Sequence, residues 1–203
     1  MILFRTSNPK RRNSLQFLKT QSQQTALLDQ LEKQSWINEI FQRTLPIPPE
    51  FQTRFGPPGF SKNPFYASEK KETTFFEFGY GLLKRGSFYD KGIAAICYDV
   101  SFQGKKLPFD ITQESDVKSI LDPKTYGFAH NWILHLTLLP ESLRYPAVRD
   151  PNGGGINFSI YERSAVGTTL AEVEDIELTP RSDGSVEMFN KTKGSKSLLK
   201  PIR

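Results

Sequence analysis

One cysteine, two histidines and no long apolar run set the first limits on this chain. Cys97 alone excludes an internal disulfide and a cysteine-cluster metal site, and it fits a reducing cytosol. His130 and His135 are too few for a zinc centre, so a metal-free protein is expected. No apolar stretch approaches the roughly 18 to 20 residues that a membrane span needs. The opening Met1-Ile-Leu-Phe-Arg5 is too short for a signal-peptide core, and Asn8-Pro-Lys-Arg-Arg12 follows at once. A cytoplasmic protein with no membrane partner is the resulting expectation. Gly-x-Ser-x-Gly is absent, which removes one familiar hydrolase nucleophile. Gly153-Gly-Gly155 lacks the Lys-Ser/Thr of a phosphate loop and reads as a hairpin turn.

What is present is a single-domain composition. The chain has 203 residues, 37% of them hydrophobic, with 16 Phe and two Trp, which is enough for one packed core. The net charge of +5 is modest and is concentrated at the ends, in Lys10-Arg-Arg12 and in KTKGSKSLLKPIR from Lys191. We read the basic end, 191–203, as a mobile solvated tail, so direct nucleic-acid binding is not expected.

Residues 14–34 carry good helix formers with Leu15, Leu18, Leu27, Leu28 and Leu31 as anchors, and Ser14 serves as N-cap. Residues 1–42 are therefore assigned to an N-terminal helical extension. Leu45-Pro-Ile-Pro-Pro49 forces an extended connector, and Gly56-Pro-Pro-Gly59 marks a loop. In the main domain, 43–190, a short strand is expected at Phe65-Tyr66-Ala67 and a helix over 72–83. A buried strand is expected over 92–103, and a helix after the turn at Asp122-Pro. Strands over 143–148 and 156–161 flank the glycine turn. Residues 169–178 and 185–189 alternate as an antiparallel pair about the turn Arg181-Ser-Asp-Gly184. No sustained βαβ rhythm runs through the chain, so the expected fold class is α+β.

Arg54, Tyr66 and Glu77 follow one another at intervals of 12 and 11 residues, and Arg144-Tyr-Pro-Ala-Val-Arg-Asp-Pro151 lies far downstream. By themselves these residues leave two readings open. Arg54 is either a surface residue of a Pro/Gly loop or a ligand clamp, and Tyr66 is either strand core or a stacking face. Glu77, set among Phe75, Phe76 and Phe78, lies either on an exposed stripe or in a cleft with apolar walls.

The blocks around them resemble the RES family. FQRTLPIPPEFQTRF is similar to its opening segment, with Arg43 placed 11 residues before Arg54, and PFYASEKKETTFFE to its Tyr-then-Glu pattern. ILDPKTYGFAHNW is similar to its Asp-Pro-x-x-Tyr helix start, with His130 where Gln is usual. LRYPAVRDPNGGGINFSIYE is similar to the Ser-containing block, and the likeness runs from about Leu15 to Leu178.

This resemblance implies a fold like that of ADP-ribosyltransferases, preceded by a helix. It also implies cleavage of NAD, as substrate rather than cofactor, by hydrolysis or phosphorolysis. Two alternatives stand beside it: transfer of ADP-ribose to a protein target, and a binding module that has lost the chemistry. Residue by residue, Arg43 and Arg54 would hold the dinucleotide phosphates, Tyr66 would pack on the nicotinamide side and Glu77 would be the catalytic carboxylate. Breaking the nicotinamide–ribose bond develops oxocarbenium character, which a carboxylate stabilises, and paired guanidinium hydrogen bonds clamp a pyrophosphate. The family also implies a helix-turn-helix (Xre-type) antitoxin as partner.

The family's serine position is Ala147 here. An engineered change, a divergence in which Ser142, Ser159 or a water replaces the hydroxyl, and a weakened member are the explanations left open. Losing one polar contact to substrate slows a reaction by about 5- to 150-fold, so reduced activity is the expectation.

Overall fold

The computed structural model describes residues 1–7, 41, 53–60, 62, 64–86, 88–122 and 124–201. The leading helix, the Pro-rich connector and Arg43 lie outside the described residues.

Among the described residues nine strands form one sheet in the order β4-β5-β6-β2-β1-β3-β7-β8-β9. They are β1 (Ile2–Ser7), β2 (Phe65–Ser68), β3 (Ile93–Phe102), β4 (Phe109–Asp110) and β5 (Ser142–Pro146), then β6 (Ile156–Ile160), β7 (Val166–Pro180), β8 (Val186–Asn190) and β9 (Ser195–Leu199). Neighbours pair antiparallel except β4 with β5. Among the described residues three α-helices of four or more residues accompany the sheet: α1 (Lys71–Arg85), α2 (Val117–Ile120) and α3 (Gly127–Leu134). The class is α+β on a single sheet, as the irregular alternation of elements indicated.

Two-residue periodicity explains why the strands form where they do. In β3, Ala95 and Cys97 face one apolar cluster while Ile96, Tyr98 and Val100 face another. Helix α1 starts and stops within two residues of the expected 72–83. Gly86, at φ 61, ends it in a left-handed turn that L side chains rarely adopt. The glycine turn between β5 and β6 is also confirmed, with Gly153 and Gly154 at positive φ.

Both chain ends depart from expectation. Residues 2–7 are not part of a helical extension. They form β1 inside the sheet, matched to β3 from Ile2↔Ser101 to Ser7↔Ile96, with Leu3 fully buried. A five-residue apolar start is too short for a helix to bury but sufficient for a strand. The basic tail is not a loose end either. Ser195–Leu199 pairs with β8, and Leu199 is buried beneath α1. Its lysines point the composition toward solvent, while backbone pairing, which composition does not report, holds the segment in place.

Three apolar clusters result. Leu3, Phe65, Val100, Phe158 and Ile160 fill one side of the sheet, with Phe41 stacked on Phe65. Phe75, Phe76, Leu82 and Leu83 of α1 pack with Ala95, Cys97, Ile176, Leu178, Val186 and Leu199. Phe55, Ile111, Ile120, Ile133, Leu143 and Tyr145 make the third cluster, under α2 and α3.

Candidate active site

Helix α1 has a second side. Thr73, Glu77, Tyr80 and Lys84 recur at intervals of four, three and four residues, which stacks them on one face. Each meets a group from elsewhere in the chain. Thr73 Oγ1 donates to Asp150 Oδ2 at 2.8 Å, and Glu77 Oε1 accepts from Asn157 Nδ2 at 2.6 Å. The Arg149 guanidinium lies 3.6 Å from the centre of the Tyr80 ring, and Lys84 Nζ lies 4.7 Å from that of Tyr126.

The sheet supplies the floor. Tyr66 is paired with Ser159, Ser68 with Asn157, and Tyr145 with Asn157 across β2, β6 and β5. Directly opposed residues share a face, so Tyr66, Ser68, Tyr145, Asn157 and Ser159 lie together. Ser68 Oγ donates to Asn157 Oδ1 at 2.5 Å, and the Tyr145 and Ser159 hydroxyls are 3.2 Å apart.

Arg54 is buried in the tight turn between Thr53 and Gly56. Its Nη1 donates to the carbonyls of Ile120 (3.0 Å) and Asp122 (2.8 Å), and its guanidinium lies 5.2 Å from the Tyr126 ring centre. Burial lowers its pKa, and the charge of Arg149 adds to that, while Glu77 acts in the opposite direction. The Tyr66 hydroxyl accepts the Phe55 N–H at 3.1 Å and shares a hydrogen bond with Thr53 Oγ1 at 2.7 Å. Burial pushes this phenol up to about 12. Tyr66 thus anchors the turn that presents Arg54, a role that spacing alone did not indicate.

Glu77 is half-buried. Burial pushes its carboxyl above the ordinary range, with Asp150 adding to the effect. The Asn157 hydrogen bond and the charges of Arg149 and Arg54 pull the other way without cancelling it. One carboxylate therefore stands within electrostatic reach of two buried guanidiniums, with Tyr66, Tyr80, Tyr126 and Tyr145 contributing ring faces or hydroxyls. Guanidiniums set beside the Glu77 and Asp150 carboxylates suit a ligand that carries both anionic groups and a centre that becomes cationic.

Ala147 is buried at the end of β5. Its N–H donates to Gly155 O at 2.8 Å and its carbonyl accepts the Asp150 N–H at 3.4 Å, so it opens the loop that carries Arg149 and Asp150. Of the two serines weighed as replacements, Ser142 is paired with Ile160, whose side chain belongs to the opposite face of the sheet. That register rules Ser142 out. Ser159 is on the correct face, already engaged with Tyr145.

Both histidines make structural contacts. His130 Nε2 donates to Thr53 O at 2.8 Å, steadying the Arg54 turn, and His135 Nδ1 donates to Asn131 O on its own helix. Among the described residues no three His, Cys, Asp or Glu side chains converge, and no helix is long and apolar enough to cross a membrane.

The structure brings Arg54, Tyr66 and Glu77 into one polar cluster, with Ala147 opening an adjoining loop. It adds Arg149, Asn157, Asp150 and Tyr126, which spacing and residue type did not single out. Asn157 and Ser159 left a readable signal, because they are the polar members of the alternating run Ile156-Asn-Phe-Ser-Ile160. Arg149 left no periodic signal, since a loop has no period, although it stands in the downstream block Arg144–Pro151. Compared with known proteins, the chain matches no protein-family model, and no curated protein matches it.

Proposed function

We propose that this protein is a RES-type enzyme that cleaves NAD at the nicotinamide–ribose bond, with activity reduced at Ala147. The observation that carries the reading is the position of Glu77, hydrogen-bonded to Asn157, within electrostatic reach of the buried Arg54 and Arg149. In this reading the C–N bond breaks, its electron pair leaves with nicotinamide, and the ribose carbon bonds to a phosphate oxygen or to a water oxygen that releases a proton to solvent. Glu77 stabilises the positive charge that develops on the ribose. Arg54 and Arg149, with Arg43, neutralise the pyrophosphate, and Lys84 stands beside the Tyr126 ring. Because Tyr66 is tied through its hydroxyl to the Arg54 turn, only its ring remains to meet the nicotinamide side. An ADP-ribosyltransferase-like fold, a cytoplasmic setting and a helix-turn-helix antitoxin belong to the same proposal.

The test incubates the protein and its Ala147→Ser variant with NAD, with and without phosphate, and follows nicotinamide release. Free ADP-ribose indicates hydrolysis, its 1-phosphate indicates phosphorolysis, and label retained on a protein indicates transfer. Ala147→Ser is expected to be faster by about 5- to 150-fold, the range for one restored polar contact. If neither protein releases nicotinamide, the reading fails.

A further inference from the structure

We infer that Asn157, itself oriented by Ser68, is a positioning residue that holds the Glu77 carboxylate for reaction. The inference rests on Glu77 being the working carboxylate of the proposed function.

Ser68, Asn157 and Glu77 form a three-member chain from the sheet to the helix. Ser68 Oγ is 2.5 Å from Asn157 Oδ1, and Asn157 Nδ2 is 2.6 Å from Glu77 Oε1. Ser68 and Asn157 are both buried and directly opposed in the β2–β6 register, so strand pairing fixes the distance between them. Glu77 comes from helix α1, which makes Asn157 a tie between helix and sheet.

Donor and acceptor chemistry fixes the order of the chain. An ionised carboxylate only accepts, so the amide nitrogen must face Glu77 and the amide oxygen must face Ser68. The Ser68 hydroxyl then donates, which selects this orientation of the amide over the reverse. The chain also suits the protonated acid. If Glu77 takes up a proton, the amide can turn over, its oxygen accepting from the carboxyl and its NH₂ donating to the Ser68 oxygen. A hydroxyl is the one small group that serves either state, whereas a second amide or a carboxylate at position 68 would serve only one without rearrangement. A buried polar chain is costly unless its members are satisfied, and these members satisfy one another.

The experiment uses the full chain, in the Ala147→Ser background if the parent is slow, with the variants Asn157→Ala, Asn157→Asp and Ser68→Ala. Two quantities are read: kcat and KM for NAD, and the titration of the Glu77 carboxyl by ¹³C NMR without substrate. Asn157→Ala is expected to lower kcat by about 10- to 150-fold, the range for a hydrogen bond to a charged group, with KM within about twofold. Its Glu77 titration should move to higher pH, because a donor to the charged form is gone. Asn157→Asp keeps the shape, and its cooperative unfolding would show that packing is intact; it should lose at least as much kcat. Ser68→Ala should fall in the same direction by less. Folded Asn157→Ala and Asn157→Asp proteins with unchanged kcat and an unmoved Glu77 titration would overturn the inference. If no variant or parent turns over NAD, the proposed function fails separately. The NMR titration then decides the positioning role by itself: an upward shift in Asn157→Ala supports it and no shift refutes it.

Discussion

Helix α1 rests on two parts of one sheet that treat it differently. Toward β3, β7, β8 and β9 it buries Phe75, Phe76, Leu82 and Leu83 against Ala95, Ile176, Leu178 and Val186. Toward β2, β6 and the loop after β5 it presents Thr73, Glu77 and Tyr80 to Asp150, Asn157 and Arg149. The first contact is non-directional and depends on volume, so several apolar sequences would fill it. The second depends on named partners, since a buried polar atom without one costs about 1–3 kcal/mol. The apolar half holds the helix on the sheet, and the polar half uses that position to place a carboxylate where water alone would not favour it. A polar tie exists on the first side too, but at its rim. Glu174 of β7 accepts from Lys71 at the start of α1, from Lys193 and from Asn190, joining the helix to the β8–β9 turn.

The contrast can be broken most sharply at Glu77. Glu77→Gln should reduce the proposed NAD cleavage by roughly a hundred- to ten-thousandfold, the range for a group that acts in the transition state. Stability should move the other way. The folded-state pKa of Glu77 is raised, so the folded protein holds the proton more tightly than the unfolded chain does. Its contribution is present below the ordinary value of 4.5 and is lost as pH rises through the higher folded value. Glu77→Gln removes that loss, and urea titrations should show the variant gaining on the parent between pH 4 and pH 8. A variant that loses both activity and stability would mean that the two halves are not separable.

In the apolar half, Ile176→Ala should cost roughly 2–5 kcal/mol in urea unfolding while leaving kcat per folded molecule unchanged. Gly155→Ala tests the seam of the site, since an added methyl would lie 2.5 Å from Thr73 Oγ1 and 2.9 Å from Asp150 Oδ2. We expect a loss of roughly 1–3 kcal/mol together with reduced kcat, because the methyl separates the pair that docks α1 on the Arg149 loop.

The smallest effect is expected at the rim, where Glu174→Gln should lose about 1–2 kcal/mol at pH 7. Burial raises the Glu174 carboxyl, but the hydrogen bonds from Lys193 and Lys71 outweigh it and hold the group below its usual range. Its stabilisation is therefore present above 4.5 and disappears as pH falls through the lower folded value, so the difference from the parent should shrink in acid. A difference that persists at pH 2 would show that shape rather than charge is at work there.

Much of this contrast is legible in the residues of α1 alone. The phenylalanines and leucines define one stripe, and Thr73, Glu77, Tyr80 and Lys84 define another at helical spacing. What the helix sequence does not carry is the identity of the residues that face the second stripe. Asn157 lies 80 positions from Glu77, and Arg149 sits in a loop where no periodicity marks it. Tyr66 is a similar case: a Tyr between Phe65 and Ala67 announces a strand, but not that its hydroxyl reaches the N–H of Phe55. Ser142 and Ser159 are equivalent as hydroxyl sources by residue type. One residue of register separates Leu143↔Ser159 from Ser142↔Ile160, and that offset puts the two hydroxyls on opposite faces.

Local periodicity and side-chain chemistry are enough to set the α+β class, the limits of α1 and the glycine turn, while Arg54, Tyr66 and Glu77 are marked out by the resemblance to a family. Local patterns do not reach the rest. That Ile2–Ser7 and Ser195–Leu199 are strands of the sheet, that Arg149 and Asn157 join the polar cluster, and that Ser142 does not, are outcomes of tertiary structure. Each of them depends on which strands pair and in what register. Pairing is settled by contacts between residues distant in the chain, where no local pattern carries the information.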